Sequence, residues 1–161
     1  MTLHTLPVHA AFAAFLALSG AAFAADGEAD ESAVARWEAD KTVIFDASEV
    51  NLDDFKWIAR PVIVFADSDA VPAFATQIEF LNDRLEELAK RDVVIITDTS
   101  PDERSDLRKK LRPRGFMLTL IGKDGGVKLR KPFPWHVREL SRQIDKMPMR
   151  QQEIRDRLAT Q

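Results

Sequence analysis

The chain has 161 residues, with 26 acidic and 23 basic side chains, a formal net charge of −3, three histidines, and neither cysteine nor tyrosine. The missing cysteine removes disulfides, thiol redox chemistry, cysteine nucleophiles and Cys-ligated zinc together. The small net charge hides a split: residues 1–100 carry 18 acids against 7 bases, and residues 101–161 carry 8 acids against 16 bases, an asymmetry of the kind that marks an interaction surface.

Residues 1–24 have the form of a secretory signal. Ala10 to Leu18 is an apolar run and Ala22-Phe23-Ala24 an A-x-A-like cleavage site, although the first residues carry His4 and His9 instead of Lys or Arg. The run is short of the roughly 20 residues a membrane span needs. The expectation is therefore a secreted or periplasmic protein that is not an integral membrane protein after processing. Residues 25–41 are acidic and alanine-rich. They are expected to form a mobile leader, with a helical turn around Val34 to Trp37. Residues 42–161 are enough for one domain with its own core.

Within that domain Lys41 to Phe45 reads as a short edge strand, and Leu52, Phe55 and Ile58 are spaced as one helical face. Val62 to Ala66 is a run of five apolar residues, the pattern of a strand buried on both sides. From Pro72 to Arg91, Phe74, Ile78, Leu81, Leu85 and Leu88 step by four, three, four and three, which predicts one helix of about five turns. Asp92 to Asp98 is a second buried strand. Ser100-Pro101-Asp102-Glu103 has the form of a capped helix start, with Leu107 and Leu111 as the apolar face before Pro113. Phe116–Gly122 and Val127–Lys131 flank Asp124-Gly125, a hairpin signal. Val137, Leu140, Ile144 and Met147 predict a helix ended by Pro148, and Ile154 and Leu158 a short docked or frayed helix after it.

The order β-α-β-α-β-β-α predicts an α/β fold of thioredoxin-like type, three layers α/β/α around a four-stranded mixed sheet. The strand order would be Asp92–Asp98, Arg60–Ala66, Phe116–Gly122, Val127–Lys131. The helices beginning near Pro72 and Trp135 would share one face, and the crossover between the parallel strands would be right-handed.

Three blocks carry a family resemblance. They are Leu52-x-x-Phe55-x-Trp57-x-x-Arg60-Pro61-Val62-Ile63-Val64-Phe65-Ala66, Gly122-Lys123-Asp124-Gly125-Gly126-Val127-Lys128-Leu129-Arg130, and Ile144-Asp145-x-Met147-Pro148-Met149-Arg150. Together they resemble a domain-of-unknown-function family, the DUDES group, found in bacterial secreted proteins and in animal sushi-repeat-containing matrix proteins. The resemblance implies a thioredoxin-like, peroxiredoxin-related fold and an extracytoplasmic setting. It implies no activity. Against the thioredoxin pattern, Asp69-Ala70-Val71-Pro72 stands where Cys-x-x-Cys would be. The proline before the third strand would fall near Met117, and Pro113 comes four residues too early.

Two functional readings follow. Asp67-Ser68-Asp69-Ala70-Val71 after an apolar strand fits the D-x-D-x-[VT] opening of haloacid-dehalogenase-type phosphohydrolases. In that reading Asp67 is the nucleophile, Asp69 the acid/base, and Mg²⁺ binds beside them with Asp98; Asp46 could join the same oxygen-rich cluster. The bland account is that Asp69 caps the next helix and Asp67 sits near its positive end. The function expected first is nevertheless binding or adhesion, with no cofactor and no catalytic residue, and the phosphohydrolase is its alternative. Its candidate surface is a basic sheet edge: Lys123, Lys128, Arg130 and Lys131, with Arg138 and Arg142 on the following helix. Such an edge suits an anionic protein, polysaccharide or lipid surface, although charged edge strands also serve to block unwanted pairing. A peroxiredoxin-like oxidoreductase is disfavoured by the missing cysteine. His136 lacks the G-x-S-x-G elbow of a hydrolase triad and reads as a lone exposed histidine. The three tryptophans are too scattered for a nucleic-acid platform.

Overall fold

The computed structural model describes residues 32–160. Five strands, β1 (Ile44–Asp46), β2 (Arg60–Phe65), β3 (Val93–Asp98), β4 (Met117–Ile121) and β5 (Val127–Lys131), form one mixed sheet in the order β1-β3-β2-β4-β5. β2 is buried along its whole length, as its unbroken apolar run requires. It pairs in parallel with β3 and antiparallel with β4. Phe65 lies level with Asp98 on one side and Met117 on the other. The carboxyl ends of β2 and β3 and the start of β4 therefore share one end of the sheet. β5 returns to that end, with Lys131 opposite Leu118.

Alternation along β2 assigns the two faces. Val62 and Val64 face α2 (Pro72–Asn82), α3 (Leu85–Ala89) and α5 (Val137–Asp145), packing against Leu81, Leu88, Leu140 and Ile144. Ile63 and Phe65 face α1 (Ala33–Ala39), α4 (Asp106–Leu111) and two 3₁₀ turns at Ala47–Glu49 and Leu52–Phe55. Each of these fully buried side chains contributes roughly 1.5–3 kcal/mol. The last helix, α6 (Pro148–Ala159), follows α5 after a short turn. Among the described residues no helix is long and apolar enough to cross a membrane.

The three-layer arrangement and the order of the four expected strands are as the sequence predicts, and the differences are local. The sheet has five strands, not four, because β1 pairs in parallel with β3 from Ile44↔Ile95 to Asp46↔Thr97. β3 is thus covered, and the sheet edges are β1 and β5, not β3 and β5. The helix after β2 breaks between Asn82 and Leu85, where Arg84 leaves helical geometry at φ −143°; Asn82 and Asp83 are both weak helix formers. Leu81 and Leu88 stay on one buried stripe across the break. Ser100 does not cap a helix. Pro101–Glu103 make a single 3₁₀ turn that Arg104 ends in the left-handed region, and α4 starts instead at Ser105, whose Oγ accepts the Arg108 N–H at 3.1 Å. Leu52–Phe55 is likewise one turn. Trp57 follows it at φ 67°, held there because its N–H donates to Lys123 O at 2.7 Å.

From Ser32 onward the expected mobile leader is instead a helix anchored on the domain. Trp37 in α1 is 2% exposed, sits edge-on to Phe55 at 6.3 Å, and donates its Nε1–H to Val93 O at 3.2 Å. Residues 32–41 are therefore fastened to the domain through Trp37, a buried indole with a satisfied N–H, while Glu38 to Lys41 stay exposed. The signal segment 1–24 and leader residues 25–31 lie outside the described residues.

Candidate functional site

The carboxyl ends of the parallel strands are where an open α/β sheet places its ligands, so each candidate carboxylate is followed there. Asp98 is 2% exposed and fully engaged. Its Oδ2 accepts Ser105 Oγ–H at 2.5 Å and its Oδ1 accepts Arg108 Nε–H at 2.6 Å. Arg108 Nη2 also donates to Ala66 O at 2.6 Å and Asp98 O at 3.0 Å, with its guanidinium 5.6 Å from the centre of the Phe65 ring. This is a clamp: one arginine from α4 ties the ends of β2 and β3 together and neutralises the buried carboxylate.

Asp67 and Asp69 are exposed in the turn beyond β2. They do not cap α2, whose N-cap is Val71 with no side-chain hydrogen bond. Asp46 caps its own turn, accepting Ser48 N–H at 2.9 Å while Glu49 reaches back to the Asp46 N–H. Among the described residues no three His, Asp or Glu side chains gather into a cation site. Asp67, Asp69 and Asp98 thus lie near one end of the sheet without converging on a common point.

The expected basic edge divides. Lys123 is 11% exposed on its side chain and lies inside an ionic network at the opposite end of the sheet, 2.9 Å from Asp92 and 3.0 Å from Glu153. That network includes Arg60, which pairs with Glu153 at 2.8 Å, and Arg91, which holds Asp145 through two donors at 3.0 and 2.7 Å. Lys123 is therefore an internal cation, not part of the open edge. Lys128 is paired with Asp124 at 2.6 Å. Arg138 and Arg142 project from α5 and share Glu139, each at 3.3 Å. Arg130 donates to Leu111 O at 2.6 Å, capping the last turn of α4, and has no carboxylate partner among the described residues. Lys131 is also without one, and its ammonium lies over Trp135 at 4.8 Å and Phe133 at 5.7 Å.

Two further cations join these last two. Arg112 and Arg114 lie in the turn from α4 to β4, and with Arg130, Lys131, Met117 and Pro132 they line a concavity of about 210 Å³. The turn is tight because Arg112 ends α4 in the left-handed region at φ 50° and Gly115 repeats that geometry at φ 59°. Arginine at such a position costs roughly 1–2 kcal/mol relative to a relaxed backbone, where glycine would sit without strain. Sequence reasoning missed Arg112 and Arg114 because they are not on the edge strand. The available signal was the density of bases from Arg104 to Arg114. His136 is exposed and stacks on Phe80, ring centres 3.9 Å apart.

Residues 51–153 match a family described as a domain of unknown function, DUF4174. The chain belongs to the DUF4174 family. Among solved structures, this DUF4174 chain is similar to the reduced 2-Cys peroxiredoxin of Plasmodium vivax, with a TM-score of 0.51 and 16% identity over 62% of this chain and 85% of that one. Thioredoxin peroxidase I of Plasmodium yoelii matches at a TM-score of 0.48 and 18% identity over 60% and 76% of the two chains. None of the curated proteins matches the chain. The first likeness is one of fold: a thioredoxin-like sheet of the peroxiredoxin kind. The name of that structure counts two cysteines, and the DUF4174 chain has none.

Proposed function

We propose that this DUF4174 chain is an exported, redox-inactive thioredoxin-like domain that works by binding an anionic partner. The observation that carries the reading is the concavity of Arg112, Arg114, Arg130 and Lys131, four cations without a carboxylate partner among the described residues. Like charges held together repel, and an anion entering between them relieves that repulsion. Its place at the carboxyl end of the sheet, where α/β folds bind ligands, adds support. So does the strained Arg112, a charged side chain on a left-handed backbone position that glycine would occupy without strain. The pattern of residues 1–24 supports export, which predicts a mature N-terminus at Ala25 or Asp26. Intact Met1–Gln161 found by mass spectrometry in the cytoplasm would count against that part.

Binding is tested by retention on a sulfonate resin at low salt. The whole chain is net negative, so retention has to come from a local patch. Elution should come early as salt rises, since the Debye length falls from about 10 Å at 0.1 M to about 3 Å at 1 M. Arg112→Ser/Arg114→Ser should flow through. Lys128→Ser/Arg142→Ser removes the same charge from paired positions and should elute close to wild type. Wild type in the flow-through, or equal shifts for the two double variants, would refute the reading.

A further inference from the structure

We infer that the anionic partner is an acidic polysaccharide, one of whose sugar rings lies on Phe133 while its acid groups meet Lys131, Arg130, Arg112 and Arg114. The inference rests on the binding reading above and adds the class of partner. Phe133 is 52% exposed, and it directly follows the basic concavity in the chain through Pro132. Lys131 belongs to both surfaces: it lines the concavity, and its ammonium lies over both rings. The exposed Phe133 ring therefore adjoins the cations through Lys131, and Trp135 backs it from the core.

That surface is built and not merely left over. Gln77 in α2 is wholly buried and uses both halves of its amide on one residue of the loop. Its Oε1 accepts the Trp135 N–H at 2.7 Å and its Nε2–H donates to Trp135 O at 3.1 Å. A buried amide without partners would be destabilising, so the pair is held firmly. His136, stacked on Phe80, pins the next residue. The loop from Pro132 to His136 is thus fixed before any partner arrives, which lowers the ordering cost of binding.

Among anionic partners the geometry discriminates. A bilayer presents a broad face, and the four cations surround a recess. A run of acidic residues, such as polyglutamate, brings carboxylates without rings to lie on Phe133. A uronate polymer repeats a ring and an acid group in every unit, so it meets both halves of the surface at once. Edge protection accounts for a charged β5, but not for Arg112 and Arg114 in another loop, nor for an aromatic shelf beside them.

The test measures binding of the full chain to polygalacturonate by calorimetry, for wild type, Phe133→Ala and Phe133→Tyr. Polyglutamate and phosphatidylglycerol vesicles serve as competitors. Phe133→Ala should weaken binding about five- to tenfold, the size of one aromatic stacking contact, and Phe133→Tyr should restore it. All three proteins should elute from sulfonate resin at the same salt, since the resin offers nothing to stack. Unchanged polygalacturonate binding in Phe133→Ala, or competition by polyglutamate or vesicles as effective as that of polygalacturonate at equal charge concentration, overturns the polysaccharide assignment and leaves the anion reading standing. Loss of resin retention by wild type overturns both.

Discussion

Arg108 shows how one side chain can decide what a carboxylate is for. Asp98 ends a central strand of an α/β sheet, a position that suggests ligand chemistry. Arg108 and Ser105 occupy both its oxygens, so its role is to hold α4 against the strand ends. Removing one member of a buried pair leaves an uncompensated charge and costs about 3–5 kcal/mol. Arg108→Ala should therefore lower the melting temperature by roughly 10 °C or more. Asp67→Asn changes an exposed group with no hydrogen-bond partner to lose among the described residues, so it should leave the melting temperature unchanged; since Asp67 Oδ2 lies against Gly115 beside the basic concavity, resin retention should hold or rise. An Asp67→Asn protein that loses a Mg²⁺-dependent aryl phosphatase activity present in wild type would restore the phosphohydrolase reading. The sequence made the carboxylates easy to see, since strand ends are legible from apolar runs. It did not show their partners, because Arg108 reaches Asp98 only when Ser105, and not Ser100, starts the helix. Arg112 and Arg114 were hidden for the same reason: their closeness to β5 depends on two left-handed residues in one turn.

At the scale of elements, α6 is held differently from the way its pattern suggests. Ile154 and Leu158 imply docking by an apolar face, yet Leu158 is exposed while Arg150 is buried. The helix is fastened by charge: Glu153 meets Arg60 and Lys123, and Arg150 meets Asp145 and Glu153. Apolar periodicity cannot reveal such docking. Burial alone would push the Glu153 carboxyl up, but hydrogen bonds from Arg60 and Lys123 outweigh it and hold it below its ordinary value. Asp92 behaves alike, with Lys41 and Lys123 opposing burial, and so does Asp145, with Arg91 and Arg150. All three are depressed in the folded state, so the unfolded chain binds more protons as the medium turns acid. Their contribution is complete above about pH 4–5, where the unfolded carboxyls are already ionised. It is lost as pH falls through the lower, folded values. Acidification should therefore free α6 first. Hydrogen exchange followed from pH 6 to pH 3 should show residues 148–159 losing protection while β2 and β3 keep theirs, and Glu153→Gln should blunt that pH dependence. Protection of α6 that persists as long as that of β2 would contradict the ionic account.

For the molecule as a whole, the strand order followed from the succession of elements, because a βαβ unit and a hairpin allow few sheet arrangements. The domain boundary did not follow, because the acidic, alanine-rich stretch before Thr42 has one large apolar residue and no clean period. That one residue, Trp37, is enough. Besides its contacts with Phe55 and Val93, its ring lies under the Lys41 ammonium at 4.8 Å, and its neighbour Arg36 pairs with Glu49 at 2.7 Å and covers the Phe45 ring at 4.9 Å. Truncating a buried tryptophan to alanine costs about 3–5 kcal/mol, a large share of the roughly 5–15 kcal/mol by which a domain is stable. A chain begun at Thr42 loses this side chain, bares Phe45 and Phe55, and leaves Val93 O without the indole donor. It should melt at least about 10 °C below a chain begun at Ser32. Both should retain the sulfonate-resin behaviour at low temperature, because the basic concavity is built from α4, β4 and β5 and touches nothing that was removed. Equal melting temperatures for the two chains would mean that α1 is a passenger and that the domain begins at β1.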